Sequence, residues 1–298
     1  MQDIVKELMN TAIDTHVHFA PDSITEYVPT HNAYDICKNA REYGMRGLVL
    51  KNTTFPSAGI AYLMENLVPG IKVFGSIVLN KSVGGMNPIA VEKAVVHGLG
   101  RPGEYCKVVW MPTTSSATDV RYYKKRKIEE VLILQEDRLL PEVKDILKLV
   151  AENNLVLATG HLNVEEAAIL IDAAKDIGVK KIVLTHPHNV IPYIGIPRQK
   201  EFAQKGVFIE FCSVMYTEYY YKKYNFVINP ARIAMDIKEV GVGNSIIATD
   251  YGLDYGANPT PAEGMRIFIG ELLKCGISPE EIRIMQQNSC ELLDMEIM

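Results

Sequence analysis

The sequence alternates short apolar runs with longer amphipathic segments along its length. Eight runs rich in Val, Ile and Leu end at polar residues or at Gly and Pro, as buried strands do. Helix patterns lie between them. Apolar strands separated by helices predict an α/β fold with a parallel sheet buried on both faces, and eight units favour a closed (β/α)8 TIM barrel over an open doubly wound sheet. The predicted strands span residues 12–17, 47–51, 73–79, 108–111, 155–159, 181–185, 207–211 and 245–249.

Two segments extend beyond the eight strand–helix units. An insertion after strand four, residues 112–140, contains a predicted hairpin that turns at Glu136 and Asp137. An extra C-terminal helix begins at Ser278, followed by Pro279 and by Glu281 in the capping position. Neither a repeat nor a Pro/Ser-rich linker marks a boundary, so we expect residues 1–298 to form a single barrel domain.

The composition favours a small-molecule partner. Lys and Arg number 31 against 36 Asp and Glu, so the net charge of −5 argues against nucleic acid. The glycine-rich signatures of nucleotide-binding sheets are missing from the sequence. Five scattered cysteines without a C-x-x-C pair fit reduced thiols. The chain shows neither a secretory signal nor an apolar span of about 18 residues, so we expect a cytoplasmic protein that does not bind membranes.

Two basic aromatic stretches, residues 121–127 and 219–224, resemble segments that bind single-stranded nucleic acid. Because the protein is acidic overall, we interpret them as solvated faces or subunit contacts of a homo-oligomer. A patch that favours an anionic substrate is the alternative.

Polar residues occupy the predicted strand ends. His16 and His18 close the first strand, and alternation sends both imidazoles into the barrel. His161, His186 and Asp250 close strands five, six and eight. These strand ends meet at one mouth, where barrel active sites lie. Four imidazoles and a carboxylate near one axis require a cation, so the pattern predicts a divalent metal site for Zn, or for Mn, Fe or Ni.

This set of four histidines and one aspartate resembles the metal-dependent amidohydrolase superfamily, and the resemblance spans essentially the whole chain. Residues 276–282 and 287–293 also resemble that family's closing helix. The resemblance implies a (β/α)8 barrel with one or two divalent ions, which activate water for attack on an amide, ester, lactone or related bond. Some members of the superfamily decarboxylate, deaminate or isomerise instead.

Strand four departs from the pattern of many binuclear members. They carry a carboxylated lysine at the end of this strand, whereas Lys107 lies at its beginning here. Strand two ends in Lys51, which leaves three alternatives. Lys51 could be carboxylated and bridge two ions, remain a cation that binds an anionic substrate, or be a solvated lysine.

The resemblance also suggests a role for each residue. His16, His18 and Asp250 would hold an ion that lowers the pKa of water, and Asp250 would take the proton of the attacking water and pass it to the leaving group. His161 and His186 would hold a second ion. With a single ion, His161 would complete its coordination while His186 orients water or polarises the substrate.

Three further residues have weaker signals. Asp14 precedes His16 by two residues on the same predicted face, where it could support the metal ligands or serve a structural role. His188 lies in a predicted mouth loop and either contacts substrate or is solvated. Glu210 near the end of strand seven either reaches the site or pairs with a lysine of a neighbouring strand.

The sequence therefore predicts a hydrolase that uses metal-activated water to cleave a C–N or C–O bond of a small molecule. The same residues would serve a metal-dependent decarboxylase or another lyase on the same barrel. A metal-binding barrel without catalytic activity is the third alternative, because a fold does not by itself establish activity.

Overall fold

The structure is a computed structural model that describes residues 1–22, 31–96, 101–123, 129–218, 220–221, 225, 228–252 and 259–296. Eight strands form one sheet in the order β1-β2-β3-β4-β7-β8-β9-β10, and paired neighbours run parallel. The predicted (β/α)8 barrel is confirmed. The strands are β1 (Ile13–His18), β2 (Gly47–Lys51), β3 (Lys72–Val78), β4 (Cys106–Trp110), β5 (Leu134–Gln135), β6 (Arg138–Leu139), β7 (Val156–Ala158), β8 (Lys181–Leu184), β9 (Phe208–Cys212) and β10 (Ser245–Ala248).

Helices follow the strands and cover the sheet. Asn163 and Ser278 each begin a helix with a capping box, completed by Glu166 and Glu281. The extra C-terminal helix is therefore present where the sequence predicts it. The α-helices span Gln2–Met9, Ala33–Glu42, Ala58–Leu67, Pro88–Val95, Ala117–Tyr122, Pro141–Glu152, Val164–Ile177, Ile196–Gln204, Pro230–Val240, Pro261–Lys274 and Pro279–Leu292.

The end of the C-terminal helix closes the amino-terminal end of the barrel. Leu292 and Leu293 pack against apolar side chains that β1, β2, β3, β4, β7, β8 and β10 direct inward. Asp294 accepts hydrogen bonds from Lys107 at 3.2 Å and Lys181 at 2.5 Å, two lysines near the starts of β4 and β8. The opposite end, where the polar strand ends meet, is the end available for a site.

The barrel closes where β1 meets the residues that follow β10. The His18 N–H donates to the Tyr251 carbonyl at 2.8 Å, and the Asp250 N–H donates to the His16 carbonyl at 3.0 Å. The chain then turns at Gly252, where a Cβ atom would lie 1.8 Å from the His18 carbonyl oxygen, so only glycine fits. Closure thus places Asp250 beside both histidines of β1.

Strand β1 contains a bulge next to the site. Asp14 lies opposite Leu48 but Val17 lies opposite Leu50, so β1 has one extra residue. The Asp14 carboxylate accepts the Thr249 N–H at 3.0 Å and the His16 N–H at 3.2 Å, and it also accepts the Thr249 hydroxyl. The bulge interrupts simple alternation between Asp14 and Val17, and the structural alternative for Asp14 fits these contacts.

The insertion after β4 contains the predicted hairpin. Glu136 and Asp137 connect β5 to β6 with φ values of 50° and 57°, as a two-residue type I′ turn requires. Most of the two basic aromatic stretches, at residues 124–127, 219 and 222–224, lies outside the described residues. Within the described ranges, no helix is both long enough and apolar enough to cross a membrane.

We expect Asp14→Ala to lower the free energy of unfolding by about 2–5 kcal/mol, because two backbone N–H groups and a hydroxyl lose their buried acceptor. Urea unfolding curves measure this change. Asp145→Ala is the control, since Asp145 pairs with Lys148 on the surface, and should cost less than about 0.5 kcal/mol. Equal losses for the two variants would contradict a role for Asp14 in closing the barrel.

Candidate metal centre

The predicted site residues lie at the carboxyl ends of the barrel strands. His18 and Lys51 are the last residues of β1 and β2, and Asp250 follows β10 by two residues. His161 and His186 lie in the loops after β7 and β8. The structure therefore gathers side chains from five strands at one mouth of the barrel.

His16 is fully buried and contacts three charged side chains. Its Nδ1 atom lies 3.1 Å from Glu210 Oε2, while its Nε2 atom lies 2.9 Å from Asp250 Oδ1 and 2.8 Å from Lys51 Nζ. An ionised carboxylate only accepts hydrogen bonds, so Glu210 fixes a proton on Nδ1 and leaves Nε2 facing the site. Glu210 thus reaches the site, which was one of its two predicted alternatives.

Asp250 joins the two histidines of β1. Its Oδ1 atom lies 2.9 Å from His16 Nε2 and 3.1 Å from His18 Nε2. Burial alone would raise the pKa of the Asp250 carboxyl, but the two histidines outweigh it and hold that pKa well below its usual value. Asp250 and His186 have positive φ values of 57° and 24°. Such backbone costs about 1–3 kcal/mol per residue and is concentrated at functional sites.

The atoms His16 Nε2, His18 Nε2 and Asp250 Oδ1 fit one divalent cation. All three lie within 4.8 Å of one another, and a tetrahedral ion with bonds of 2.0–2.1 Å separates its ligand atoms by about 3.3 Å. A lone pair on Nε2 would face the Asp250 oxygen at 2.9 Å, and two acceptors at this distance are stabilised by positive charge, which either a proton or a bound ion supplies.

The electrostatics of His16 lead to the same conclusion. Burial by itself lowers the pKa of His16, but the carboxylates of Asp250 and Glu210 outweigh both burial and Lys51 and raise it. The cluster therefore stabilises positive charge at this ring. A proton can supply that charge, and so can an ion held by the three ligand atoms.

A second group of close ligand atoms comprises His16, Glu210 and Cys212, all buried. Burial raises the pKa of the Cys212 thiol well above its ordinary value. The thiol therefore stays protonated, and a thiol is a poorer ligand than a thiolate. Glu210 also forms a hydrogen bond with His16 Nδ1, so that nitrogen is not free to bind an ion. The group with His18 and Asp250 is therefore the better cation site.

Lys51 is buried beneath this group with 2% of its surface exposed, so the solvated alternative is wrong. Its Nζ atom lies 4.4 Å from the centroid of the Trp110 ring, a distance typical of a cation–π contact. Burial lowers the pKa of Lys51, and the carboxylates of Asp250 and Glu210 oppose that shift.

His161 and His186 extend the histidine group across the mouth. The His186 ring centroid lies 5.7 Å from that of His16 and 5.1 Å from that of His161. Burial lowers the pKa of both rings, which favours the neutral imidazole that metals bind. Among the residues that the structure describes, neither ring belongs to a group of three mutually close ligand atoms.

A carboxylate that the sequence analysis missed orients His161. Asp119, in the short helix after β4, is buried and accepts a hydrogen bond from His161 Nδ1 at 2.9 Å. This contact leaves His161 Nε2 without the proton, and the side chain is 16% exposed. No sequence signal pointed to Asp119, because it does not lie at a strand end. It lies inside the insertion, three residues after Ser116, the N-cap of the short helix.

His188 is also buried, so its solvated alternative is wrong. Its Nε2 atom accepts the Cys212 N–H at 3.3 Å, and its ring stacks on Phe211 with centroids 5.2 Å apart. Burial lowers the pKa of His188 to about 4, so the ring is neutral. These contacts link the loop after β8 to β9 and give His188 a structural role; contact with substrate stays a prediction.

One family model matches two thirds of the chain. A family model described as a family of unknown function, DUF6282, matches residues 11–210. This chain belongs to DUF6282. The matched part of this DUF6282 chain includes His16, His18, His161, His186 and Glu210, whereas Asp250 lies beyond it. No curated protein matches the sequence.

Solved structures resemble this DUF6282 chain over nearly its whole length. A Pseudomonas putida protein assigned as a 2-pyrone-4,6-dicarboxylic acid hydrolase has a TM-score of 0.60 at 15% identity, covering 96% of this chain and 98% of that one. A resiniferatoxin-binding protein from Rhodobacter sphaeroides has 0.60 at 14%, with 97% and 94% covered. An amidohydrolase from Burkholderia multivorans with bound zinc has 0.58 at 10%, with 95% and 99% covered. At these identities the likeness shows the fold.

Proposed function

We propose that this chain is a metal-dependent hydrolase of the amidohydrolase superfamily that cleaves a C–N or C–O bond of a small molecule. The convergence of His16 Nε2, His18 Nε2 and Asp250 Oδ1 at the barrel mouth carries the proposal. Support comes from the barrel shared with proteins named as hydrolases, including one with bound zinc.

His16, His18 and Asp250 would hold one divalent ion, for which zinc is the first candidate. An ion bound there would lower the pKa of a water molecule toward neutral pH and so make it a better nucleophile. Glu210 supports this arrangement because it keeps the proton of His16 on Nδ1, away from the ligand atom.

Asp250 is the residue best placed to move the proton of the attacking water. Its carboxylate is 16% exposed, whereas the His16 side chain is inaccessible, so Asp250 faces the mouth. We assign it the acceptance of that proton and its delivery to the leaving group.

His186 and His161 continue the histidine group from His16, with ring centroids 5.7 Å apart for His16 and His186 and 5.1 Å apart for His186 and His161. In this proposal they orient water or polarise the substrate, with Asp119 fixing the tautomer of His161.

Lys51 is assigned the role of a resident cation. The Trp110 face favours an ammonium over an anionic carbamate, so the proposal has a single ion and no carboxylated bridge. The Nε2 lone pair of His16 can serve Lys51 or an ion but not both, so metal binding would free the ammonium to attract an anionic substrate.

Metal analysis tests the site. The protein purified without added metal and then reconstituted should bind one divalent ion per chain, as measured by elemental analysis. His18→Ala removes a ligand and should weaken binding by more than the roughly 10–100-fold caused by losing a group that merely supports a ligand. His31→Ala is the control and should bind normally, since His31 lies outside the group. Protein that takes up no ion after reconstitution would overturn the proposal.

Activity against a substrate panel tests the chemistry. Lactones, amides, esters, deaminase substrates and carboxylated aromatics should be screened with and without chelator, and the products should be identified. We expect a metal-dependent hydrolytic product, and we expect Asp250→Asn to keep much of the metal while lowering kcat by about 10²–10⁴-fold. Release of CO2 would support the lyase alternative, and near-normal turnover in Asp250→Asn would remove Asp250 as the base.

Lys51→Met separates the two remaining readings of this lysine. If Lys51 is an ammonium, the variant keeps one ion per chain, binds it at least as tightly because a competing cation is gone, and has a raised KM for anionic substrates only. If Lys51 is a carboxylated bridge, the wild type holds two ions and the variant loses one. The number of ions per chain and the charge dependence of KM decide between these readings.

A further inference from the structure

The buried side chain of Asn80, in the connection after β3, joins the loops that follow the two neighbouring strands. Its Oδ1 atom accepts the backbone N–H groups of Thr113 at 2.9 Å and Ser115 at 3.2 Å. Its Nδ2 atom donates to the Thr53 carbonyl and to the Thr113 hydroxyl, both at 3.0 Å. One amide thus uses both its donors and its acceptor to connect the loop after β2 with the insertion after β4.

The part of the insertion that Asn80 binds also holds His161. The His161 N–H donates to the Pro112 carbonyl at 2.9 Å, and His161 Nδ1 donates to Asp119 at 2.9 Å. Ser116 caps the helix that carries Asp119, because its hydroxyl accepts the Asp119 N–H at 3.0 Å. Both the backbone and the ring of His161 are therefore held by the first residues of the insertion.

The two segments also touch closely through their backbones. Gly160 precedes His161 with a φ of 59°, and a Cβ atom at this position would lie 2.4 Å from the Met111 carbonyl oxygen and 2.6 Å from that of Pro112. Closely packed interiors transmit displacements because they have little free space. A shift at the start of the insertion would therefore move His161 as well.

The other end of the Asn80 amide reaches the loops after β1 and β2. Thr53 follows Lys51 by two residues, and its N–H donates to Asp22 at 3.0 Å. Asp22 in turn follows His18 by four residues. Asn80 thus fixes the insertion relative to the loops that follow two other residues of the candidate site.

We propose that Asn80 is a positioning residue for His161, which it holds in place through the start of the insertion. The role follows from where the ring lies and does not depend on its protonation state. Its effect on catalysis rests on the proposed function, in which His161 orients water or polarises the substrate. Groups of this kind act only when they are held at the correct distance from the reacting atoms.

The ring signal of His161 reports its position in the metal-free, full-length protein. In a ¹H–¹³C spectrum the signal is assigned by its loss in His161→Gln. Asn80→Ala should shift this signal, because the insertion loses its hydrogen bonds to the connection after β3. A signal that is unchanged in folded Asn80→Ala would overturn the proposal.

Asn87→Ala is the matched control. Asn87 lies in the same connection, and its Oδ1 atom also accepts two backbone N–H groups, those of Ile89 at 3.1 Å and Ala90 at 3.3 Å. These contacts cap a helix and do not involve the insertion. The control should lower the Tm, as the loss of a cap does, and leave the His161 signal in place.

Turnover separates positioning from a general loss of stability. With an active wild type, we expect Asn80→Ala to lower kcat by roughly 10–100-fold and to leave KM nearly unchanged, because a misplaced group weakens binding of the transition state. Asn87→Ala should keep kcat. Unchanged kcat in Asn80→Ala, or equal losses in the two variants, would overturn the positioning role.

Thr113→Val serves if Asn80→Ala does not fold. It removes the hydroxyl that accepts one N–H of Asn80, while both backbone contacts of the insertion remain. We expect a smaller shift of the His161 signal, and no shift would overturn the proposal. Failure of the proposed function gives a different pattern: a wild type that binds no metal and turns over no substrate removes the hydrolase, while the ring signal still decides whether Asn80 positions His161.

Discussion

The joint between the first and last barrel strands is the constraint on which the candidate site depends. Backbone hydrogen bonds from Asp250 to His16 and from His18 to Tyr251 join chain segments more than 230 residues apart. The buried Asp14 carboxylate strengthens this joint by accepting from the backbone and side chain of Thr249. The three candidate metal ligands lie on these two segments. The contacts that close the barrel therefore also bring the ligand group together.

The interior below the ligands is organised by charge. His16 is flanked by two carboxylates, and Lys51 contacts both the His16 ring and the face of Trp110. Buried charges are stable only when they are paired and hydrogen-bonded, so each member of this group limits the protonation state of the others. The two carboxylates raise the pKa of His16, so the pocket stabilises positive charge at this ring.

Local patterns in the sequence were sufficient for most of the fold. The eight strands, the hairpin at Glu136 and Asp137 and the capped helix at Ser278 are dictated by hydrophobic periodicity, turn chemistry and capping, which act over a few residues. The bulge in β1 has no such signal. It is defined only by the register with β2 and not by any local pattern, and it interrupts alternation between Asp14 and Val17.

The sequence by itself determined the barrel and the polar strand ends, because the period of a strand and the direction of a parallel sheet fix where His16, His18 and Asp250 must lie. The tertiary structure decided how these side chains interact. Asp119 pairs with His161 through an insertion, Lys51 is buried against Trp110, and Glu210 sets the proton position of His16. These contacts join residues far apart in the chain whose separation follows no period, so only the packed barrel specifies them.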